Sequence, residues 1–593
     1  MNDFAFGVDA ARPAAIRAAQ GREPFDLLLT GGTVVDLATC ELRPADVGIV
    51  GGLIASVHPP GSRSDAVETH DVSGMFLTAG FIDSHLHFES SFMAPVDYAT
   101  AVVPHGTLTT VWDPHELANV LGVPGVRWAV DQSRNLPLRV LVAAPSCVPS
   151  APGLELAGAD IGPAEMAEML SWPEVSGVAE VMDMAGVLNA RPEMAGIVEA
   201  GLESGKNVNG HARDLIGPTL QAYAASGVTS DHEIMGAEDF LQKLRAGLTV
   251  ELRGSHDPVL PEVVEALNSL PMLPANLVLC TDDIFPDELM EKGGLRDVMA
   301  RLIARGLDPI HALRIASFHG AMRLKRDDIG LVAPGRRAEI AVLSDLRTVT
   351  VARVYAGGRL VAKDGAMVEE LPRELRADAL RDTVKIPPQP VEAFALKVHG
   401  VGDGTARLPV VGGVRVVAWR EATVTVRAGV AEVPPGHVLI AVLHRHGRRD
   451  PTPMVCLADG WDEPRGAIAT TISHDNHNLL VIGRDPADMA AAANALIACG
   501  GGMSVASRGQ VTGVLPLPIA GLLAETPPAE TAAAFAKLRA AADAVMDWKL
   551  PHRVFRSVTG VSLACNPGPH PTDLGISDGG TGALVDPAEP LAA

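Results

Sequence analysis

GFIDSHLHFESS, residues 80–91, ends the apolar run MFLTAGFI on two histidines one residue apart, His85 and His87. Side chains of a β-strand alternate between faces, so residues two apart point the same way. On a strand the pair forms a pincer suited to one metal ion. Asp83 shares that face one step deeper, where a carboxylate can orient an imidazole by accepting its second N–H. A lone histidine at a strand end is ordinarily just a satisfied polar residue. The meaning of the pair therefore depends on its surroundings.

Around it, roughly residues 75–335, short apolar strands alternate with helix-compatible stretches such as PAEMAEMLSW, RPEMAGIVEAGLESG and GAEDFLQKLRAG. Eight strand candidates follow in order: MFLTAGFIDSHLH, GTLTTVWDPHE, RVLVAAPSC, VSGVAEVMD, KNVNGHA, GVTSDHE, LTVELRGS and NLVLCTDD. Repeated strand–helix units over this length predict an α/β protein built on a (β/α)8, TIM-type barrel. A doubly wound sheet is the alternative, but it carries a glycine-rich phosphate turn after its first strand. HLHFESS occupies that place here.

The barrel is predicted to be an insertion. Residues 25–57 and 338–368 share a texture of short β-rich runs broken by Gly-Gly turns. They predict one small β-sandwich domain formed by the flanking segments 25–74 and 336–384. Residues 1–24 read as a helical extension, and KIPPQP (385–390) as a linker. A C-terminal α+β domain follows over 390–593, with a clear helix in DPADMAAAANALIAC. The last stretch, rich in Gly, Pro and Asp, reads as irregular.

Composition narrows the function. The 593 residues are 47% hydrophobic and 20% charged, as in a globular protein, with a net charge of −23. An acidic surface repels phosphate backbones, which argues against nucleic-acid partners. The opening MNDFAFGVDAARPAAIRAAQ has neither the cationic nor the apolar region of a secretory leader. No apolar run is long enough to predict a membrane span. The expectation is a cytoplasmic chain. Six scattered cysteines without CxxC spacing read as reduced core thiols.

In a barrel the chemistry gathers at the C-terminal ends of the strands. Six of the eight candidates end there in metal-competent residues: His85 and His87; Asp113, His115 and Glu116; Glu180; His211; His232; and Asp282 with Asp283. Glu180 lies in an apolar strand, where an unpartnered carboxylate is costly. The set is all nitrogen and oxygen, which suits Zn, Mn or Fe(II) over a thiolate-preferring metal.

GFIDSHLH resembles the first-strand HxH motif of the amidohydrolase superfamily of metal-dependent hydrolases. The ordered set HLHFESS, VWDPHE, VAEVMD, NGHA, SDHE and CTDD resembles the bacterial-type adenine deaminases over most of the chain. That resemblance implies two divalent metal ions per chain, Mn2+ or Fe2+ with Zn2+ compatible. His85, His87 and Asp282 would hold the more buried ion, and His211 and His232 the second. Glu180 stands where many relatives carry a carbamylated lysine, and would bridge the two. The implied reaction is hydrolytic deamination of adenine to hypoxanthine and ammonia, as in purine salvage, by hydroxide formed at the metals. Asp282 would act as general base and then acid, with Asp283 as the other choice. His115 and Glu116 are assigned to proton transfer, and Glu116, Asp113 and Arg213 to the purine. A homodimer is also expected. Where the family often shows HAPGL, this chain has HARDLIG, placing Arg213 and Asp214 on a substrate-facing loop. Two other readings stay open: another binuclear amidohydrolase acting on a cyclic amide or aminated heterocycle, and a non-catalytic barrel scaffold.

Some features stay outside this scheme. Glu89 follows the HxH pair without an assigned role. His444 and His446, and His474, Asp475 and His477 in TTISHDNHN, read as polar loop packing, with a further metal or a contribution to the active-site mouth as the alternatives. GGG at 500–502 reads as a turn, since no GxxxxGK[ST] follows.

Overall fold

The computed structural model describes residues 9–414, 416–546 and 554–592. The apolar run ahead of His85 is two strands rather than one, Phe76–Ala79 and Phe81–Leu86. The first pairs antiparallel with Ile340–Asp345 in a flanking sheet. The second starts the barrel. Gly80 between them permits the close pass, since a Cβ there would come 2.7 Å from Leu108 Cδ1.

Every quoted barrel segment supplies a strand: Phe81–Leu86, Thr107–Trp112, Arg139–Ala144, Val175–Val181, Asn207–Gly210, Ser230–Asp231, Thr249–Arg253 and Leu277–Cys280. Neighbours within each sheet are parallel; the first five strands form one curled sheet and the last three another. Thr229 N donates to Val208 O at 2.8 Å, linking the fifth strand to the start of the sixth. A parallel bridge between Leu86 and Asp282 brings the first strand beside the end of the last. The first two strands are buried along their whole length, as expected of parallel strands covered on both faces. The domain is of the TIM type.

Chain from both sides of the barrel builds the flanking sheets. A seven-stranded sheet joins Thr33–Asp36 and Phe76–Ala79 to Ile340–Asp345, Thr350–Ala356 and Arg359–Lys363. A four-stranded sheet holds Phe25–Thr30, Asp46–Val50, Leu53–His58 and Ala66–Asp71. Helix Arg12–Ala19 packs Ala15 and Ala18 against Phe25 and Leu53.

The C-terminal region carries a nine-stranded sheet running between Val430–Ala431 and Gln510–Pro516 at its edges. Helix Pro486–Cys499 packs on it. Its limits follow from local chemistry: the Asp485 carboxylate accepts the Ala487 N–H at 2.7 Å, Pro486 opens the first turn, and Gly500 at φ 81° closes the last. Of the glycine triplet, Gly500 and Gly501 make the turn and Gly502 opens the strand Gly502–Ser507. The tail is not irregular as its composition suggests. Pro569–Pro571, Ile576–Asp578 and Ala583–Val585 form a three-stranded sheet. Asp578 organises it, accepting from Gly568 N, Gly580 N and Trp419 Nε1, each at 3.0 Å.

The two large units share a seam. Phe535, on helix Pro528–Val545, sits 5.2 Å from the Phe92 ring, 5.1 Å from Phe285 and 5.3 Å from Phe555. Arg539 lies over Phe535 and donates to Asp287 Oδ2 at 2.6 Å. Of the cysteines, Cys147, Cys280 and Cys456 are buried thiols, whereas Cys40 is exposed; all six are free. Among the described residues no helix is long and apolar enough to cross a membrane.

Candidate metal centre and active site

Six residues singled out in the sequence meet around one carboxylate. Glu180 Oε1 lies 3.6 Å from His85 Nε2, 3.4 Å from His87 Nε2 and 3.5 Å from His115 Nδ1. Its Oε2 lies 2.7 Å from His211 Nδ1 and 3.2 Å from His232 Nε2. The two oxygens thus serve two separate sets of imidazoles. Asp282 Oδ1 closes the first set, 3.5 Å from Nε2 of both His85 and His87. All of these side chains are buried.

The backbone of Glu180 is pinned. Its carbonyl accepts from Ser146 Oγ at 2.7 Å and Cys147 Sγ at 3.0 Å, and its N–H donates to Asp113 Oδ2 at 3.4 Å. The ring of His87 is fixed by Nδ1–H donating to the Asp113 carbonyl at 3.0 Å, which leaves Nε2 free to act as a ligand. Asp231 secures the fifth and sixth strand ends by accepting from Ala212 N at 2.5 Å and pairing with buried Lys243 at 2.9 Å.

Asp83 does not orient an imidazole, as its spacing suggests. It accepts from Thr281 N at 2.9 Å and Thr281 Oγ1 at 2.6 Å, tying the first strand to the residue before Asp282. Asp282 itself adopts φ 56°, in the left-handed region. Such strain persists only where the surroundings impose it, and it recurs at functional sites. Asp283 points elsewhere, accepting from Ser90 Oγ. Glu89 gains a role: its carboxylate accepts from Trp112 Nε1 at 2.8 Å and Leu117 N at 3.3 Å, holding the start of helix His115–Leu121.

The other assigned residues divide. His115 faces the centre through Nδ1, which also lies 3.3 Å from Asp113 Oδ2, and faces Asp475 through Nε2. Glu116 is fully buried, with neither oxygen hydrogen-bonded among the described residues. Burial and the neighbouring Glu89 raise its carboxyl well above the usual range. Asp113 Oδ2 serves His115 and the Glu180 amide, while its Oδ1 is buried with no hydrogen-bond partner among the described residues. Arg213 pairs with Glu233 at 2.7 Å and is partly exposed.

Two residues escaped the sequence reading. Arg253, ending the seventh strand, donates to Asp282 Oδ2 and pairs with Glu233 at 2.7 Å. A search for ligands passes over a cation; the signal was LTVELRGS itself, whose strand ends in arginine where its neighbours end in ligands. Burial opposes charge on Asp282, but Arg253 and the imidazoles of His85 and His87 hold its carboxyl well below the usual range. Glu251, beneath His85 and His232, is neutralised by Arg323 at 2.9 Å.

The donor set fits divalent cations. His85 Nε2, the atom turned toward Glu180 and Asp282, is buried without a hydrogen-bond partner among the described residues, which calls for an explanation in so deep a site. His85, His87, Asp113 and Glu180 present ligand atoms within 4.8 Å of one another. Burial disfavours charge on His85, yet Asp282 and Glu180 raise its pKa to about 10. That negative field attracts cations, and metal binding displaces the protons it holds.

The fold and this ligand set define a metal-dependent hydrolase domain, and an amidohydrolase family model matches residues 76–361. An adenine deaminase C-terminal domain model matches residues 415–582. An adenine deaminase of Klebsiella pneumoniae subsp. pneumoniae is 53% identical over 97% of this chain and 96% of its own. Adenine deaminase 2 of Rhizobium meliloti is also 53% identical, with the same coverage. The chain belongs to the adenine deaminase family. Among solved structures, a D-aminoacylase aligns with a TM-score of 0.42 at 16% identity, over 58% of this chain and 98% of that one.

Proposed function

We propose that the chain catalyses hydrolytic deamination of adenine to hypoxanthine and ammonia. The observation that carries this reading is the division of Glu180's two oxygens between two sets of imidazoles, in a chain matching adenine deaminases along nearly its whole length. His85, His87 and Asp282 would hold one divalent ion, His211 and His232 the other, and Glu180 both. When bound, the ions supply Lewis acidity and lower the pKa of water at the centre. Mn2+ and Fe2+ suit the ligand set.

The chain's own groups account for the proton traffic. Water adds its oxygen to C6 of adenine, the C6–N bond breaks, and ammonia leaves. Asp282 is ionised, has one oxygen at the centre and has the other held by Arg253. It accepts the proton from water and returns it to the departing amine. Glu116, kept protonated by burial and by Glu89, donates to a ring nitrogen of the purine and takes back the second proton of the water as the C6 carbonyl forms. In the same reading the two parallel runs form one closed (β/α)8 barrel over 75–335, set into a β-sandwich made of 25–74 and 336–384.

Ammonia release separates this function from ring opening of cyclic amides. With Mn2+-loaded protein, adenine should yield hypoxanthine and ammonia in equal amounts. Hydrolysis of hydantoins or dihydropyrimidines without adenine turnover would overturn it.

A further inference from the structure

The loop Ser473–Asn478 belongs to the C-terminal sheet domain, yet its side chains end at the barrel mouth. Asp475 Oδ1 lies 3.4 Å from His115 Nε2 and 3.4 Å from His474 Nδ1, and His474 Nδ1 lies 3.9 Å from Glu116 Oε1. The loop is latched there. Asn476 Nδ2 donates to Glu155 Oε2 at 2.8 Å, and Asn478 Nδ2 to Leu156 O at 3.0 Å, both across the domain boundary. From behind, the fully buried Arg445 donates to His477 O and, at 2.9 Å, to Ala520 O. His477 adopts φ 49°, a second left-handed residue beside the site.

The arrangement leaves polar atoms unanswered. Both Glu116 oxygens, His115 Nε2, Asp475 Oδ2 and His477 Nε2 are buried with no hydrogen-bond partner among the described residues. Leaving these atoms of four buried side chains unanswered in one place is costly, which points to an occupant that satisfies them. The two-metal ligand set does not use them. A flat, neutral ring carrying both donors and acceptors around its edge answers carboxylates and imidazoles together.

We propose that His474 and Asp475 form one wall of the purine pocket, opposite the metal centre, so that the barrel alone holds an incomplete substrate site. This rests on adenine as the substrate. It gives the C-terminal domain a task in substrate recognition: Asp475 accepts an N–H from the purine edge, and His474 with Glu116 lines the same side.

The test uses the full-length, Mn2+-loaded enzyme and hypoxanthine as a non-reacting probe. Asp475→Asn and His474→Gln are compared with wild type for metal content, unfolding midpoint, hypoxanthine dissociation constant, and KM and kcat for adenine. Loss of one hydrogen bond to an uncharged ligand predicts about a tenfold rise in both the dissociation constant and KM, with metal content retained. His474 is partly exposed, so its variant carries the test if Asp475→Asn fails to fold. Unchanged hypoxanthine affinity in the folded variants overturns the proposal, as does a fall in kcat alone, which marks a role confined to holding His115. Loss of a bound metal from Asp475→Asn also overturns it, since a cation would then occupy the cluster. Wild-type protein that releases no ammonia from adenine would instead overturn the deaminase function itself.

Discussion

Arg253 donates to one oxygen of Asp282, while the other oxygen faces Nε2 of His85 and of His87 at 3.5 Å. The same guanidinium pairs with Glu233 at 2.7 Å, and Glu233 is shared with Arg213. A planar fork therefore fixes the orientation of the residue assigned to proton transfer.

Replacing Arg253 by Met takes the guanidinium from the buried Asp282 carboxylate and leaves Glu233 with Arg213. Removing one partner of a buried ion pair costs about 3–5 kcal/mol. Arg253→Met should lower the unfolding midpoint and reduce kcat/KM by roughly 100-fold, an effect of about 3 kcal/mol. Arg253→Lys keeps the charge and loses the fork, and should fall between. Denaturant unfolding and steady-state kinetics on both variants check this; wild-type stability and turnover in Arg253→Met would contradict it.

Phe535 joins the C-terminal helix to the barrel through Phe92 and Phe285 and is fully buried. Truncating a buried phenylalanine costs about 3–5 kcal/mol. Phe535→Ala should lower the unfolding midpoint strongly, whereas Val511→Ala, at an exposed position on the neighbouring strand, should leave it within about 0.5 kcal/mol of wild type. Similar midpoints for the two variants would show that the aromatic seam does not hold the units together.

His319 gives stability a pH dependence remote from the metal centre. Its Nδ1–H donates to Leu277 O at 3.0 Å and its Nε2 accepts from Arg314 at 3.1 Å, so the folded protein holds it neutral. Burial, with Arg314 nearby, lowers its pKa from 6.5 to about 4. Between these values the unfolded chain binds the proton and the folded chain does not. Stability is thus intact above pH 6.5 and is lost as pH falls toward about 4. The loss attributable to His319 between pH 7 and pH 5 is about 2 kcal/mol. His319→Asn keeps a donor for Leu277 O and should shrink the pH 7 to pH 5 difference by that amount. An unchanged difference would show that another group carries the acid sensitivity.

The strand ends were legible because apolar runs and their terminal ligands lie together in sequence, and all eight segments quoted from it supply strands. Side-chain alternation gave the shared face of His85 and His87. It could not tell that Phe76–Ala79 pairs with Ile340–Asp345, since an apolar run does not say which sheet it joins. Asp83 is half legible for a related reason: alternation places its face, but its partner, Thr281, comes from the far end of the 75–335 stretch. Arg253 was invisible to a search for ligands, because it supports one. The loop carrying Asp475 was the least legible, as its meaning depends on Glu155 and His115, which only folding brings near.

The central claim is that Glu180 joins two metal ions into one centre. The direct measurement is metal content per chain for wild type and Glu180→Gln, each purified in chelator-treated buffer and reconstituted with Mn2+ under oxygen-free conditions, together with adenine turnover. Wild type should hold two ions. Glu180→Gln should retain at most one and lose at least 1,000-fold in kcat, corresponding to about 4 kcal/mol or more. Two tightly held ions with normal turnover in Glu180→Gln would contradict the account.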